Sequence, residues 1–425
     1  MVCCAMFQND DIIFALSSGN PPAGVAVIRI SGAALGEMFQ KLAGIAKPKP
    51  RHMYFTNLKG IDECLVAWFK APASFTGEDV IEIHSHGSIA VIDKIYELLR
   101  GLGARIAERG EFAARAFMNG KMDLQSIDGL GDLINAKTER QRIQAFASYT
   151  GSGSRLYQTW RNELVLISAN LAAATEFPAQ ELPGGLVPDA MEKIKTLLEQ
   201  IDSHLGTYAA GRIIKSGFRI VLGGLVNAGK SSLFNALIGS DRAIVSSVPG
   251  TTRDWISAQM DIEGYLVELV DTAGLRESDN EIESIGIEKS KELIESADLV
   301  IEVKREKLKG KSDDGFIVYT HGDLTGDPDA VSVVTGQNMD KLIARIKSEI
   351  EKRIGVAEPF CVSNEKTAEL LRQATGYLSA ALAQTIPELT AENVRLAANA
   401  LGKVLGVVDF DEIQSAIFGR LCMGK

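Results

Sequence analysis

The sequence predicts a multidomain fold, α/β plus α: an α+β domain over residues 1–124, a helical domain split into 125–213 and 353–425, and an α/β domain over 214–352 inserted between the two helical parts. Three observations predict it. At 425 residues the chain is too long for one hydrophobic core. The stretch after residue 218 alternates apolar strands with helix-like segments, the pattern of a parallel sheet with crossover helices. Helical spacing appears on both sides of that stretch, and a helical tail of about 70 residues is marginal on its own. The tail is therefore expected to pack on the helices of 125–213.

The first segment sets short apolar runs, Val25-Ala26-Val27-Ile28 and Leu65-Val66-Ala67-Trp68-Phe69, between turn clusters at Gly19-Asn20-Pro21-Pro22 and Pro48-Lys49-Pro50. Further on, Met191, Ile194, Leu197, Leu198, Ile201 and Leu205 recur at steps of three and four, one apolar stripe of a helix. Strands are expected at Arg219–Leu222, Leu266–Val270, Leu299–Val303, Phe316–Tyr319 and Val331–Val334. In the tail Val394, Ala397, Ala398, Leu401, Val404 and Leu405 share a helical face that stops at Gly406.

Composition limits the function classes. With 46% hydrophobic and 24% charged residues, the chain reads as globular and able to bury a core, not as disordered. Its 45 Lys and Arg against 55 Asp and Glu leave a formal charge of −10, which argues against dispersed, tight binding to a polyanion and leaves room for a local basic patch. Cys3, Cys4, Cys64, Cys361 and Cys422 form neither a CxxC pair nor a zinc-ligand spacing, so reduced thiols are expected. No run reaches the roughly 18 apolar residues of a membrane span, and the first residues are acidic where a signal peptide is basic. A cytosolic, non-membrane protein is expected.

Gly224-Leu225-Val226-Asn227-Ala228-Gly229-Lys230-Ser231 fits the phosphate-binding pattern G-x-x-x-x-G-K-[ST], after the strand of Phe218–Leu222 and before the helical Ser232-Leu233-Phe234. The glycines let backbone N–H groups close around phosphate oxygens. Lys230 can reach the β and γ phosphates, and Ser231 can ligate Mg²⁺. A chance glycine-rich turn is disfavoured, because further elements follow in the right order. Asp271-Thr272-Ala273-Gly274 ends an apolar strand and places an acid beside the phosphates, and Gly250-Thr251-Thr252-Arg253-Asp254 between them offers switch hydroxyls. This is the order of a Ras-like P-loop GTPase. The guanine marker N-K-x-D is replaced by Thr320-His321-Gly322-Asp323, which keeps only the Asp, and Ser332-Val333-Val334 stands where the last base-contacting loop falls.

Leu275 occupies the place of the water-orienting glutamine of a Ras-type enzyme and cannot polarise water. The acidic run Glu277, Asp279, Glu281 and Glu283 is the place to look for a substitute, although its charge pattern equally suits a solvated switch face. Charge in the transition state falls to Arg276, to Arg253 or to a cation held by Asn227.

With these motifs assembled, the chain resembles the MnmE (TrmE) family of tRNA modification GTPases, within the TrmE-Era-EngA-YihA-Septin-like GTPases, from end to end. The first domain carries the resemblance in Val25 through Gly32, in Phe75-Thr76-Gly77-Glu78-Asp79-Val80-Ile81-Glu82 and in Gly110 through Leu124, and the tail carries it in Leu421-Cys422-Met423-Gly424-Lys425. The resemblance implies a homodimer joined through N-terminal domains that bind a one-carbon tetrahydrofolate of the 5-formyl or 5,10-methylene type, contacted by Arg29, Glu82, Lys121 and Lys425. It implies GTP contacts from Asn227, Ala228, Gly229, Lys230, Ser231 and Ser232, from Ser246, Ser247, Val248, Pro249, Gly250, Thr251 and Thr252, from Asp271, Thr272, Ala273 and Gly274, and from Thr320 and Asp323.

It further implies Mg²⁺ on Ser231 and Thr252, and K⁺ held by Asn227, Ser246, Val248 and Thr251 in place of an arginine finger. Glu283 would orient the attacking water, Lys230 would serve the phosphates, and Cys422 is a candidate nucleophile. The implied partner is MnmG, an FAD protein, in a heterotetramer or larger complex. Together they would add an aminomethyl or carboxymethylaminomethyl group at C5 of the wobble uridine, position 34, of certain tRNAs. His84 and His86 lack a third ligand by spacing and are not expected to hold a metal. Thr320-His321 departs from the family and implies weaker nucleotide binding with guanine preference kept by Asp323. Residues before Met6 lie outside the resemblance, as a start codon assigned too early would leave them.

Two other readings compete. A regulatory GTPase switch in RNA-particle assembly would need neither the folate residues nor Cys422. A catalytically impaired scaffold is motivated by Thr320-His321 and would bind GTP too weakly for turnover.

Overall fold

The computed structural model describes residues 11–176, 186–225, 227–239, 243–244, 256–271, 293–305, 315–355 and 360–406. The chain falls into two compact units, one from Met1–Gly131, Tyr149–Asn162 and Ala398–Lys425, the other from Asp132–Ser148 and Glu163–Ala397.

The first unit is built on a six-stranded sheet of β1 (Ile13–Leu16), β2 (Ala23–Gly32), β3 (Met53–Asn57), β4 (Glu63–Phe69), β5 (Asp79–Gly87) and β6 (Arg105–Ile106), with α1 (Gly36–Ala43), α2 (Ile89–Gly101) and α3 (Glu111–Met118). Its strand order is β3-β4-β5-β2-β1-β6, antiparallel except where β1 meets β6. Both apolar runs expected as strands lie in it, within β2 and β4. Side chains alternate between the faces of a strand. Ile28 and Ile30 of β2, Val66 of β4, and Ile81 and Ile83 of β5 therefore share the face that packs on Phe39 and Leu42 of α1 and Ile95 and Leu99 of α2. The residues between them, Arg29 and Glu82 included, are left for the other face. Helix α2 starts where the Ser88 hydroxyl accepts the Val91 N–H at 3.2 Å, a side-chain cap that satisfies one of the helix's orphan donors.

Helices α4 (Leu124–Asn135), α5 (Glu139–Tyr149), α6 (Ser152–Glu176), α7 (Leu186–Leu205) and α8 (Tyr208–Ser216) follow. The stripe expected around Ile194 lies on α7, where Ile194, Leu197 and Ile201 are buried together with His204.

The second sheet contains β7 (Phe218–Gly223), β8 (Ala243–Ile244), β9 (Ile256–Ile262), β10 (Tyr265–Asp271), β11 (Leu299–Lys304) and β12 (Phe316–Tyr319), with α9 (Lys230–Ile238), α10 (Gly322–Thr325) and α11 (Met339–Ile354). Its order is β12-β11-β7-β10-β9-β8. Four neighbouring strands, β12, β11, β7 and β10, are parallel as expected, whereas β9 and β8 run antiparallel at one edge. The reversal between β9 and β10 is made by Glu263 and Gly264, both at positive φ, a two-residue turn of the hairpin kind. Ile220 and Leu222, Val267 and Leu269, and Ile301 and Val303 pack with Leu233 and Leu237 of α9 and Leu342, Ile346 and Ile350 of α11.

One expected strand is corrected: Val331–Val334 is not a strand. Val331 exchanges single backbone bonds with Tyr319 (2.7 Å) and Gly322 (3.2 Å), after which the Ser332 hydroxyl accepts the Thr335 N–H at 3.2 Å and turns the chain away. A hydroxyl that bonds the nearby backbone offers an alternative to a ladder.

The chain closes with α12 (Glu365–Ala383) and α13 (Pro387–Leu405). Helix α12 packs along α7 with the second sheet between them in sequence, so the helical domain is discontinuous and the P-loop domain is its insertion. The stripe from Val394 to Leu405 is buried on α13. That helix ends at Gly406, whose φ is +80° and where an added Cβ would stand 2.9 Å from Leu124 Cγ. Among the described residues no helix is long and apolar enough to cross a membrane, and Cys64 and Cys361 are buried thiols outside any disulfide.

Candidate active site

The phosphate loop connects the central strand β7 to α9. Gly224 has φ +135°, and a Cβ there would lie 2.3 Å from the Val303 carbonyl oxygen, so the loop leaves the sheet along a path open only to glycine. Asn227 (φ 61°) and Gly229 (φ 90°) also hold left-handed backbone. Such residues, alternating with others, turn successive N–H groups into an anion-binding concavity at the positive end of the following helix. Lys230, 8% exposed, donates from Nζ to the carbonyls of Gly224 and Leu225, both at 3.0 Å, which holds the ammonium across the loop. Ala228 is buried, whereas the Asn227 side chain is exposed.

Parallel pairing of β10 with β7 sets Asp271 opposite Leu222, at the strand ends nearest the loop. There the Ser231 hydroxyl donates to Asp271 Oδ2 at 2.8 Å. Asp271 is 1% exposed. A hydroxyl and a carboxylate, both hard oxygen donors, suit Mg²⁺.

On the base side, Thr320, 3% exposed, donates from Oγ1 to the Ala228 carbonyl at 2.7 Å. Its N–H donates to Lys304 O at 2.9 Å, and His321 Nδ1 lies 2.9 Å from the hydroxyl oxygen. The replacement of Asn-Lys therefore does not leave the base loop untied from the phosphate loop. Asp323 lies in the first turn of the short α10 and accepts from the Ser332 hydroxyl at 2.8 Å. The sequence had marked Ser332 only as part of the next loop. Its role in aiming Asp323, and the Thr320 to Ala228 bond, join residues distant in sequence and carry no motif.

In the other unit, Arg29 and Glu82 face each other in the β2–β5 register, and Arg29 Nε (3.0 Å) and an Nη (2.9 Å) both donate to Glu82 Oε1. His84 Nε2 stands 3.4 Å from Glu82 Oε2, while His86 pairs instead with Asp62. The Arg29 guanidinium lies over the Phe75 ring, 5.1 Å from its centre. Lys121 reaches the same loop, since a Cβ on Gly77 would meet Lys121 Cγ at 3.3 Å. Thus Arg29, Glu82 and Lys121 gather around residues 75–77.

That loop is held from beneath. Ser31 Oγ contacts Thr76 Oγ1 (2.6 Å) and donates to Glu78 (2.7 Å), and Arg115, 1% exposed, bridges Glu78, Glu111 and Asp11. Burial opposes charge on Arg115, but the Glu78 and Glu111 carboxylates outweigh it and keep its pKa above the ordinary value. Sequence reading missed this network because its members are spread from residue 11 to residue 115.

Ser246 through Thr252, Thr272, Ala273, Gly274, Glu283, Cys422 and Lys425 lie outside the described residues, as do Arg253, Leu275 and Arg276.

The GTP-binding protein TrmE N-terminus family matches residues 12–121, and the MnmE helical domain family matches residues 124–422. The tRNA modification GTPase MnmE of Brucella canis is 39% identical over 438 residues, covering 98% of each chain. The chain belongs to the MnmE family. The tRNA modification GTPase MnmE of Rhizobium johnstonii is likewise 39% identical, over 99% of this chain and all of its own. Among solved structures, the G domain of the T. maritima FeoB iron transporter aligns with 32% of this chain and 98% of its own at 25% identity and a TM-score of 0.23.

Proposed function

We propose that this MnmE-family GTPase is a K⁺-activated GTP hydrolase that works with MnmG, an FAD protein, on the wobble uridine (position 34) of certain tRNAs. The product would be an aminomethyl or carboxymethylaminomethyl group at C5. The observation that carries the hydrolase part is the meeting of Ser231 and Asp271 beside a phosphate loop whose Gly224, Asn227 and Gly229 hold positive φ. In this reading the loop's N–H groups and Lys230 bind the phosphates of GTP, Ser231 and Thr252 hold Mg²⁺ with Asp271 behind Ser231, and Asp323 accepts the guanine edge. The exposed Asn227 side chain, with Ser246, Val248 and Thr251, holds K⁺. Glu283 orients the attacking water.

Around residues 75–77 the groups suit a tetrahydrofolate: Arg29 and Lys121 offer cations for its carboxylates, and Glu82 offers an acceptor for the pterin's N–H edge. Bound there with Lys425, the folate would supply the one-carbon unit, with Cys422 as candidate nucleophile. The same face of that sheet, away from α1 and α2, supports a homodimer, because Met53, Phe55 and Leu65 project from paired β3 and β4 with Phe55 69% exposed. The division into 1–124, 125–213, 214–352 and 353–425 and a cytoplasmic location belong to the same reading. A charge of −10 favours a complex in which a more basic partner takes much of the tRNA contact.

The test is the GTPase rate of the purified full chain in K⁺ against Na⁺ at matched ionic strength. Marked stimulation by K⁺ is expected. A rate indifferent to the cation would overturn the K⁺ mechanism, and absence of GTP turnover in both salts would overturn the hydrolase reading.

A further inference from the structure

The segment Thr320-His321-Gly322-Asp323 has the acid that reads guanine but neither of the two residues expected before it. Its geometry shows a substitute. The Thr320 hydroxyl has a single proton, and two carbonyls lie in reach, Ala228 O at 2.7 Å and Lys304 O at 3.3 Å. The shorter, fully buried contact takes it. The hydroxyl oxygen can then only accept from His321 Nδ1 at 2.9 Å, so Nδ1 carries the proton and a neutral ring has its acceptor at Nε2. His321 sits at φ 60°, ψ 35°, a left-handed conformation that histidine adopts more readily than most residues. A Cβ on Gly229 would come within 3.2 Å of both His321 Cε1 and Thr320 Oγ1, so both side chains lie directly against the phosphate loop.

We propose that Thr320 and His321 form a positioning pair for guanine recognition: His321 Nδ1–H donates to Thr320 Oγ1, which donates to Ala228 O, and this two-step relay fixes the loop bearing Asp323 against the phosphate loop. Behind Asp323 the loop is braced by the Gly322 N–H on Val331 O (3.2 Å), the Val331 N–H on Tyr319 O (2.7 Å) and the Ser332 hydroxyl on Asp323. The relay therefore controls one remaining freedom, the distance between the base-reading acid and the phosphates. Unlike an Asn-Lys pair, which brings an ammonium, it brings no permanent charge. The inference rests on the GTPase reading and assigns the specificity of that same site.

The experiment compares steady-state hydrolysis of GTP and ITP by the full chain and by Thr320→Val, Thr320→Ser and His321→Ala. ITP lacks the exocyclic amine that Asp323 would accept, so the GTP to ITP ratio of kcat/KM reports how well Asp323 is aimed. Thr320→Val is expected to raise KM for GTP about tenfold with kcat little changed, one buried hydrogen bond's worth, and to lower the GTP to ITP ratio. Thr320→Ser restores both, and His321→Ala gives a smaller shift in the same direction. An unchanged KM and ratio in Thr320→Val, or no rescue by serine, would overturn the relay. Should Thr320→Val not fold, His321→Ala decides, because an unchanged ratio there removes the histidine from the pair. Failure of the wild-type chain to hydrolyse GTP would instead sink the GTPase reading itself, an outcome the variants cannot imitate.

Discussion

The side-chain amide of Gln144 brackets the backbone of Cys361: Oε1 accepts the Cys361 N–H at 3.0 Å, and Nε2 donates to the Cys361 carbonyl at 2.6 Å. Three residues earlier on the same helix, Gln141 Nε2 donates to Lys215 O at 3.0 Å. Lys215 lies just before β7, and Cys361 follows α11, so α5 grips the chain where it runs into and out of the inserted sheet. At the sheet itself, the Arg140 guanidinium lies 4.4 Å from the centre of the Tyr265 ring in the β9–β10 hairpin.

Gln144→Leu keeps the bulk and takes one buried hydrogen-bond partner from the Cys361 N–H and one from its carbonyl. Each such loss costs about 1–3 kcal/mol. The expected outcome is a loss of about 3 kcal/mol in urea unfolding, with hydrolysis by the folded protein retained, since Gln144 touches no residue of the phosphate loop. Wild-type stability in the variant would show that the bracket is incidental.

His204 supplies a pH dependence. It is buried on α7 and stacks on Phe360 with ring centres 5.5 Å apart, and burial pushes its pKa down to about 4. The folded protein keeps the ring neutral while the unfolded chain protonates near the ordinary value of about 6.5. Stability is therefore full above that value, falls as pH drops through the interval down to about 4, and levels off below it, for a total on the order of 3 kcal/mol. His204→Phe should flatten that part of the stability profile measured by urea titration between pH 7 and 4. A slope unchanged by the substitution would assign it to other groups.

Legibility in the sequence followed the range of the interactions. The stripe on α7, the strands β10 to β12 and the run ending at Gly406 are set by residues a few positions apart, and periodicity exposes them. The motif Gly224–Ser231 was legible because a close backbone path requires glycine at fixed spacing. The strand expected at Val331–Val334 failed because apolar character alone does not report that Ser332 spends its hydroxyl on the Thr335 N–H and on Asp323. The tie from Thr320 to Ala228 was hidden for another reason: pattern reading asks for an Asn carboxamide, whereas the site needs only one donor at 2.7 Å.

Arg115 is the second place where long-range chemistry decides stability. Its guanidinium is 1% exposed and meets carboxylates from two distant segments, Asp11 and Glu78, and that of Glu111 one turn back on its own helix. Arg115→Met removes the cation and leaves Glu111, itself fully buried, with Arg105 as its remaining cation among these contacts. Breaking such a pair costs about 3–5 kcal/mol. The expected result in thermal unfolding is a large drop, partly restored by adding Glu78→Gln, which removes one uncompensated charge. If the double variant is no better than the single one, the loss is one of packing and not of charge balance.

Ser231→Ala tests the metal end of the phosphate loop. The hydroxyl lies 2.8 Å from Asp271 Oδ2, and Asp271 is held at the end of β10 by its pairing with β7, so the two oxygens are fixed relative to each other before any ion arrives. An oxygen donor lost from such a preset pair weakens a hard cation without disturbing the backbone cradle, because the loop's positive-φ residues and Lys230 are untouched. The Mg²⁺ concentration for half-maximal hydrolysis should therefore rise at least about tenfold, one charge-assisted contact's worth, while nucleotide binding measured without Mg²⁺ changes little. An unchanged Mg²⁺ requirement would place the ion away from Ser231. A parallel loss of Mg²⁺-free binding would mean instead that the hydroxyl shapes the loop, with its bond to Asp271 serving the fold and not the metal.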